Sequence, residues 1–370
     1  MRTAFYELHQ IHGGKIIDFH GWEMPLQYSG IIDEHITTRS HVGIFDVSHM
    51  GRFEIKGEGS RDLLQSLLTN DIAQLNDYRA LYSPMCNQEG GIIDDLIVYR
   101  KGKNDYILVV NASNRIKDYA WISSHLTYNV EIHDMTFSTS LIAVQGPCAS
   151  DLMCKLINDA DVSKMKSFDM IHKSICGIKC MVSRTGYTGE DGFEIMFDSS
   201  GTKLWDTLLE TGKEYYIKPC GLGSRDSLRL EAGLLLHGND MDENTTPLEV
   251  PLKWAVKFDK GDFIGKQKLL HKKVQRKLVG FEILESKRIA RHKNDVFLEQ
   301  DHDPIINKVG TVTSGGFSPI LHKSIGFCFV PSYIVPQSSI ISIDIGGKLY
   351  RGRILESIRF YRRPTNLFYI

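Results

Sequence analysis

Two adjacent carboxylates, Asp94 and Asp95, interrupt the apolar run IIDDLIV about a quarter of the way along the chain. A charge within such a run costs free energy unless it is paired or hydrogen-bonded. Two hypotheses fit this pattern. Either the run is an edge strand with one solvated aspartate and one bonded to the turn backbone, or one of the two aspartates lines a ligand cavity. The run by itself does not choose between them.

The stretch 82–99 predicts a strand, a turn over residues 87–91 and a second strand, because the glycines of the turn allow positive φ. Side chains alternate across a strand, so the two carboxylates should point to opposite faces. We expect Asp94 to share its face with Ile92 and Leu96. We expect Asp95 to share the other face with Ile93, Ile97 and Tyr99.

A second candidate is a pair of arginines, Arg225 and Arg229, on one face of a helix predicted over residues 224–231. Exposed or salt-bridged arginines are the default on a helix face. The functional alternative is that Arg225 clamps an acidic group in bidentate fashion. Tyr187 and Glu194 flank a glycine-rich turn, and Glu194 lies opposite the apolar face of the strand FEIMF, where exposure is the default.

Several familiar patterns are incomplete. The segment GLGSRD lacks the third glycine and the leading strand of a dinucleotide fingerprint. Asp46, Ser48 and His49 are too close in sequence to face one another as a hydrolase triad, and no G-x-S-x-G elbow is present. The chain has no HExxH or EF-hand pattern, and Cys176 and Cys180 have no second pair, so we expect no metal site.

Composition narrows the class of protein. The length of 370 residues indicates two to three domains. The formal charge of −1 indicates no bulk electrostatic attraction to nucleic acid or membranes. Seven scattered cysteines, an odd number, favour a reducing compartment over a disulfide framework. No secretory signal or membrane-spanning stretch is apparent. We therefore expect neither a nucleic-acid nor a membrane partner.

The surrounding elements fall into two classes. Up to residue 275, strands and helices mix without a regular βαβ rhythm, which predicts an α+β fold. The basic stretch 266–276 predicts a surface helix. Beyond it, short strand-like segments, with glycine punctuation at residues 315–316 and 346–347, predict a small antiparallel barrel or sandwich.

Taken together, the motifs resemble those of the T-protein family, the aminomethyltransferases of the glycine cleavage system. The resemblance covers nearly the whole chain, and its segments are FHGWEMPLQYSG, FDVSHMG, LLTNDI, GGIIDDLIVYR, VVNASNRIKDYAW, RTGYTGEDGFEI, GLGSRDSLRLEAGLLLHGND, FIGKQ and VTSGGFSP. It implies a three-lobed cloverleaf fold, with two α+β folate-binding lobes and a C-terminal antiparallel β-barrel. The implied boundaries are 1–275 for the folate-binding region, as interleaved lobes of about 1–50 with 140–275 and 51–139, and 276–370 for the barrel.

The resemblance also implies a reaction in glycine catabolism. The methylene carbon of an aminomethyl group passes from the dihydrolipoyl arm of lipoylated H-protein to tetrahydrofolate, giving 5,10-methylenetetrahydrofolate and ammonia. Tetrahydrofolate is then a co-substrate, and no metal is needed. Because the chain begins close to the first family motif, we expect a bacterial cytoplasmic protein, with a mature mitochondrial matrix protein as the alternative.

Carried over residue by residue, the resemblance places Asp95 beside the reacting folate nitrogens. The positions that line the folate cavity are Tyr82, Asn111, Tyr187, Glu194 and Arg225. Arg362 matches a C-terminal folate contact, although its tail, IRFYRRP, departs from the family's Pro-Phe pattern. A carboxylate such as Glu194 can accept two N–H groups of a pterin, and tyrosine rings offer a flat stacking surface. Asp95 could stabilise an iminium-like cation or orient N5 and N10, and the sequence leaves both roles open.

Two relatives of this family provide alternative functions. The folate-dependent demethylases usually carry a large flavin domain, and this chain begins directly at the first T-protein segment. The folate-binding assembly factor for iron–sulfur proteins has a cysteine in a K-G-C-x-x-G-Q segment. Here the corresponding residues 260–266 read KGDFIGK, without a cysteine. Both features favour the aminomethyltransferase.

Overall fold

The computed structural model describes residues 1–284, 288–298, 307–334 and 340–363. The helices in chain order are α1 (Tyr6–Ile11), α2 (Ile31–Ser40), α3 (Ser60–Leu67), α4 (Arg115–Ser124), α5 (Ala149–Ile157), α6 (Lys203–Thr211), α7 (Leu222–Ala232) and α8 (Lys266–Leu270). The strands are β1 (Lys15–Phe19), β2 (Trp22–Gln27), β3 (Gly43–Asp46), β4 (Gly51–Lys56), β5 (Arg79–Cys86), β6 (Ile92–Gly102), β7 (Asp105–Val110), β8 (Glu131–Asp134), β9 (Thr139–Gln145), β10 (Met170–Ile175), β11 (Ile178–Ser183), β12 (Gly192–Asp198), β13 (Lys218–Pro219), β14 (Arg276–Ile283), β15 (Asp295–Leu298), β16 (Asn307–Ser318), β17 (Lys323–Pro331), β18 (Ile340–Asp344) and β19 (Leu349–Leu355).

Two large sheets, together with a two-stranded sheet of β1 and β2, form the first part of the molecule. One has six strands in the order β10-β11-β12-β9-β3-β13, and the other has five in the order β5-β6-β7-β4-β8. The strand β12 shows how alternation builds the core: Phe193, Ile195 and Phe197 pack with Trp205 of α6 on one face, and Met196 faces the opposite way. That opposite face meets the five-stranded sheet, because Met196 shares a cluster with Ile107.

The C-terminal strands close into a barrel in the order β14-β17-β16-β15-β18-β19, with β19 pairing back onto β14. Its interior is aliphatic and aromatic, and a second apolar cluster joins its outer wall to the rest of the molecule through Ile92, Leu230 and Phe327. These elements confirm the predicted α+β class with a C-terminal antiparallel barrel. The residue boundaries proposed for the lobes stay a prediction.

The structure corrects several expectations about individual elements. The strand β6 is not an edge strand, since it pairs with β5 on one side and β7 on the other. The basic helix ends at Leu270 rather than near residue 276, because strand β14 begins at Arg276. Gly315 and Gly316 lie inside β16, where Gly315 approaches the backbone of Ala290 too closely for a side chain. None of the described helices has the length and apolar character needed to cross a membrane.

Candidate active site

One large cavity of about 1660 Å³ lies where the two sheets, helix α7 and the barrel meet. Its walls come from β6, β12, α7, the residues after β7 and the segment after β19. All seven site residues predicted from the sequence line it, namely Tyr82, Asp95, Asn111, Tyr187, Glu194, Arg225 and Arg362. The tertiary structure therefore brings together side chains that are up to 280 positions apart (82 to 362).

The carboxylate of Asp95 is held at the cavity wall by two donors. The Tyr82 hydroxyl donates to Oδ2 over 3.1 Å, and Nδ2 of Asn111 donates to Oδ1 over 2.9 Å. Burial first, and then the neighbouring carboxylate of Asp94, raise the pKa of Asp95 to about 7, whereas the two hydrogen bonds lower it. Asp95 can therefore exist in either protonation state near neutral pH.

Asp94 is fully buried and does not line the cavity. Its carboxylate accepts the backbone N–H of Asn111 over 3.0 Å, Nδ2 of the same residue over 2.8 Å, and Nδ2 of Asn114 over 2.6 Å. Because Nδ2 of Asn111 also reaches Asp95, one amide group links the two carboxylates. The two aspartates thus belong to one network, which alternation alone does not indicate.

The expected partners of the two aspartates need correction. The register of β5 against β6 shifts so that Met85 faces Asp94 and Cys86 faces Ile92, which leaves Ile93 as the extra residue of a β-bulge. Ile93 consequently packs in the core with Leu96, and the expectation that it shares the face of Asp95 was wrong. From Asp94 onward the alternation holds, since Leu96 and Val98 pack in one apolar cluster and Ile97 and Tyr99 pack in another.

The two arginines of α7 differ sharply in their surroundings. The guanidinium of Arg225 lies 4.7 Å from the centre of the Tyr187 ring, and its buried Nη1 has no hydrogen-bond partner among the described residues. Arg229, one turn later, donates to Asp226 and Asp240, both over 2.8 Å, and to Ser314. The salt-bridged alternative therefore describes Arg229, whereas Arg225 keeps a donor free for a ligand.

Glu194 and Tyr187 also line the cavity. Glu194 is not on the outer surface, the default for its position, because Oε2 accepts hydrogen bonds from the hydroxyls of Thr185 and Tyr99. The described residues make no hydrogen bond to its Oε1, which leaves one oxygen for a ligand. The Tyr187 hydroxyl donates to the carbonyl of Leu235, which fixes its ring beside Arg225. Arg362 is exposed at the edge of the cavity.

Sequence reasoning missed two cavity residues. His49 is 3% exposed, and its Nδ1 has no partner among the described residues. Burial lowers its pKa to about 3, so its imidazole is neutral. Asp46 does not pair with His49 as a hydrolase triad requires, since its Oδ2 is hydrogen-bonded to Nε2 of His9 over 2.9 Å.

Trp254 is the second residue that sequence reasoning missed. Its side chain is 41% exposed, and its ring stacks on the ring of Tyr82 with 5.6 Å between the ring centres. No local sequence pattern distinguishes it.

The described residues contain no group of three or more His, Cys, Asp or Glu placed to hold a metal ion. All seven cysteines are free. The polar groups that converge on the cavity are thus carboxylates, amides, phenols and a guanidinium. Such a set suits a flat, hydrogen-bonding organic ligand.

Comparison with known families decides the class of protein. Residues 5–260 match the GCVT N-terminal domain, and residues 276–361 match the glycine cleavage T-protein C-terminal barrel domain. The chain belongs to the glycine cleavage T-protein family. An aminomethyltransferase of Caldanaerobacter subterraneus subsp. tengcongensis is 46% identical over 368 residues, which cover 98% of this chain and 96% of that protein. One from Thermotoga sp. (strain RQ2) is 44% identical over 365 residues, covering 98% of both.

A solved structure of the family agrees with this assignment. The crystal structure of glycine cleavage system aminomethyltransferase T from Bartonella henselae superimposes with a TM-score of 0.88 at 32% identity, and the match covers 98% of each chain. T-protein family membership makes tetrahydrofolate-dependent aminomethyl transfer the activity of this chain, with tetrahydrofolate as the co-substrate. The prediction from sequence is confirmed, and neither the demethylase nor the iron–sulfur assembly factor is favoured.

Proposed function

We propose that Asp95 is the catalytic carboxylate of this aminomethyl transfer, and that tetrahydrofolate is bound by Tyr82, Asn111, Tyr187, Glu194, Arg225 and Arg362. The observation that carries the proposal is that one cavity holds all of these side chains. Asp95 is fixed there by Tyr82 and Asn111, which gives it the rigid position that catalysis by a charged group requires.

The remaining residues suit different parts of a folate. Oε1 of Glu194 is available to accept N–H groups of the pterin edge, because the hydrogen bonds from Thr185 and Tyr99 both use Oε2. The Tyr187 ring and the adjacent Arg225 guanidinium offer a flat face and a free donor. Arg362, exposed at the cavity edge, is placed to meet the carboxylates of a glutamate tail.

The chemistry begins with cleavage of the C–S bond of the aminomethyl thioether. The sulfur keeps the electron pair, and an iminium-like cation forms that the Asp95 carboxylate stabilises by its charge. One folate nitrogen attacks the carbon, ammonia departs, and the second nitrogen closes the five-membered ring. The two folate N–H protons end on the sulfur and on the departing ammonia. A carboxyl with a pKa of about 7 is suited to hold one of them in transit.

We propose that the donor is the lipoylated H-protein of the glycine cleavage system. The names of the matched family and of the Bartonella henselae structure support this partner, since both refer to glycine cleavage. The exposed ring of Trp254, stacked on Tyr82 beside Asp95, gives an apolar surface on which the hydrocarbon part of a lipoyl arm can pack. A bacterial cytoplasmic location remains part of the same proposal, supported by bacterial relatives.

Ammonia release from aminomethylated H-protein tests the donor and the acceptor together. We expect ammonia and 5,10-methylenetetrahydrofolate in equal amounts, with a rate that depends on tetrahydrofolate. N-methylated glycines serve as the control substrate class and should give no product. Product formation from the methylated amine at a comparable rate would favour a demethylase, and a rate unaffected by omission of tetrahydrofolate would contradict the proposal.

A further inference from the structure

Asp118 on α4 is a buried acid without a counter-ion. It is 0% exposed, and neither carboxyl oxygen has a hydrogen-bond donor among the described residues. The adjacent Lys117 points elsewhere, because its Nζ donates to the Ile93 carbonyl over 2.9 Å and to Glu243 over 2.7 Å. An ionised carboxylate in this position would be an uncompensated buried charge, which proteins rarely tolerate.

Asp118 lies one helical turn after Asn114, since its backbone N–H donates to the Asn114 carbonyl over 2.8 Å, and the Asn114 side chain donates to Asp94 over 2.6 Å. This arrangement places the carboxyl of Asp118 beside the carboxyl of Asp94 on β6, with which it interacts. Two ionised carboxylates only accept hydrogen bonds, so the pair can bond only when one of them carries a proton. Asp94 already accepts three N–H donors from Asn111 and Asn114, whereas neither oxygen of Asp118 accepts a donor from the described residues. The proton is therefore best placed on Asp118.

We propose that Asp118 is a neutral carboxylic acid at physiological pH, that it donates its proton to Asp94 in a hydrogen bond, and that it thereby positions Asp95. The second half rests on the proposed catalytic role of Asp95, whereas the protonation of Asp118 does not. Asp118 is connected to Asp95 through only two residues. Asp94 accepts a hydrogen bond from Nδ2 of Asn111, and the same nitrogen donates to Asp95 over 2.9 Å.

The charges around the pair support this protonation state. Burial first, and then the carboxylate of Asp94, raise the pKa of Asp118 to about 11. Asp95 on the same strand acts in the same direction, and Lys117 on the helix opposes it. From the loop after α7, His237 contacts Asn114 through Nδ1 over 2.9 Å rather than either carboxyl.

A neutral Asp118 has two consequences for the site. Three neighbouring carboxyls then carry at most two negative charges, which limits the electrostatic cost of keeping Asp95 ionised. The donated hydrogen bond also holds Asp94 in the orientation that aligns both asparagines. Without a donor at position 118, Asp94 can turn and the Asn111 amide no longer holds Asp95, so turnover should suffer more than folate affinity.

Infrared difference spectroscopy of the full chain at pH 8 tests the protonation directly. The wild type should show the carbonyl stretch of a buried protonated carboxyl, and Asp118→Asn should lack it. Asp95→Asn is the matched control and should keep the band. The absence of this band from the wild type, or its persistence in Asp118→Asn, would overturn the assignment. Full activity in Asp95→Asn with the band intact would instead overturn only the proposed role of Asp95.

Enzyme kinetics test the positioning role. Asparagine keeps a donor of the same size, so Asp118→Asn should retain kcat within about threefold. Alanine has no donor, so Asp118→Ala should lower kcat by on the order of tenfold while KM for tetrahydrofolate stays unchanged. Wild-type kcat in Asp118→Ala would contradict positioning. If Asp118→Ala does not fold, Asp118→Asn provides the test. A more than tenfold loss of kcat in Asp118→Asn would contradict hydrogen-bond donation from position 118 as the means by which Asp95 is positioned.

Discussion

The hydroxyl of Tyr82 donates to Oδ2 of Asp95 over 3.1 Å, and the two side chains form one wall of the cavity. This hydrogen bond favours the ionised carboxylate, whereas burial and the charge of Asp94 favour the protonated acid. The balance decides at which pH Asp95 carries the negative charge that its proposed role requires.

The pH dependence of turnover should follow this balance. Because the pKa of Asp95 is raised to about 7, the acid is neutral below that pH and anionic above it. We expect kcat/KM for methylene transfer to reach a plateau above about pH 8 and to fall about tenfold for each pH unit below 7. Initial rates between pH 5.5 and 9 measure the profile. An activity that stays constant down to pH 6 would argue against an essential Asp95 anion.

Tyr82→Phe should shift the acidic limb of the pH–rate profile to higher pH. The variant removes a hydrogen bond to the charged form, worth about 1.5 kcal/mol, so the acidic limb should shift by about one pH unit. Tyr106→Phe is the matched control, since Tyr106 is fully buried in the core of the five-stranded sheet and does not line the cavity. Its profile should coincide with that of the wild type. Equal shifts in both variants would point to a general effect on stability.

Asp95→Asn and Asp94→Asn should separate catalysis from structure. Asp95→Asn should lower kcat by about 10²-fold or more, with tetrahydrofolate binding and thermal stability close to wild type, because the fixed charge is lost but the shape is kept. Asp94→Asn should be milder for turnover and should cost about 2 kcal/mol in the free energy of unfolding, because a buried acceptor of three N–H groups becomes an amide. If Asp94→Asn proves the more damaging change for kcat, the assignment of roles is inverted.

Arg225→Ala and Arg229→Ala should differ in kind. The Arg225 variant should bind tetrahydrofolate on the order of tenfold more weakly in titration calorimetry, with little loss of stability, because its free donor faces the cavity. In Arg229→Ala the free energy of unfolding, measured by chemical denaturation, should fall by about 3–5 kcal/mol, because Asp240 stays buried without its cation. Unchanged folate affinity in Arg225→Ala would contradict folate binding by this residue and would indicate a structural role instead.

Local sequence determined much of this protein. The order of its motifs indicated the family, and the mixed strands and helices followed by short strands indicated an α+β fold with a C-terminal barrel. Alternation placed Phe193, Ile195 and Phe197 in the core with Glu194 opposite, and it separated Asp95 from Asp94. These inferences succeed because side-chain periodicity and turn chemistry depend on neighbouring residues along the chain.

The tertiary structure decided what depends on distant neighbours. The bulge that moves Ile93 into the core follows from the register of β5 against β6, which alternation along β6 does not contain. The different surroundings of Arg225 and Arg229 follow from Asp240 and Ser314, which reach Arg229 from outside the helix. His49 faces the cavity, and Asp118 meets Asp94, only because helices and strands pack together. The candidate carboxylates could be identified from the sequence, but their protonation states depend on burial and neighbouring charges, which only the tertiary structure determines.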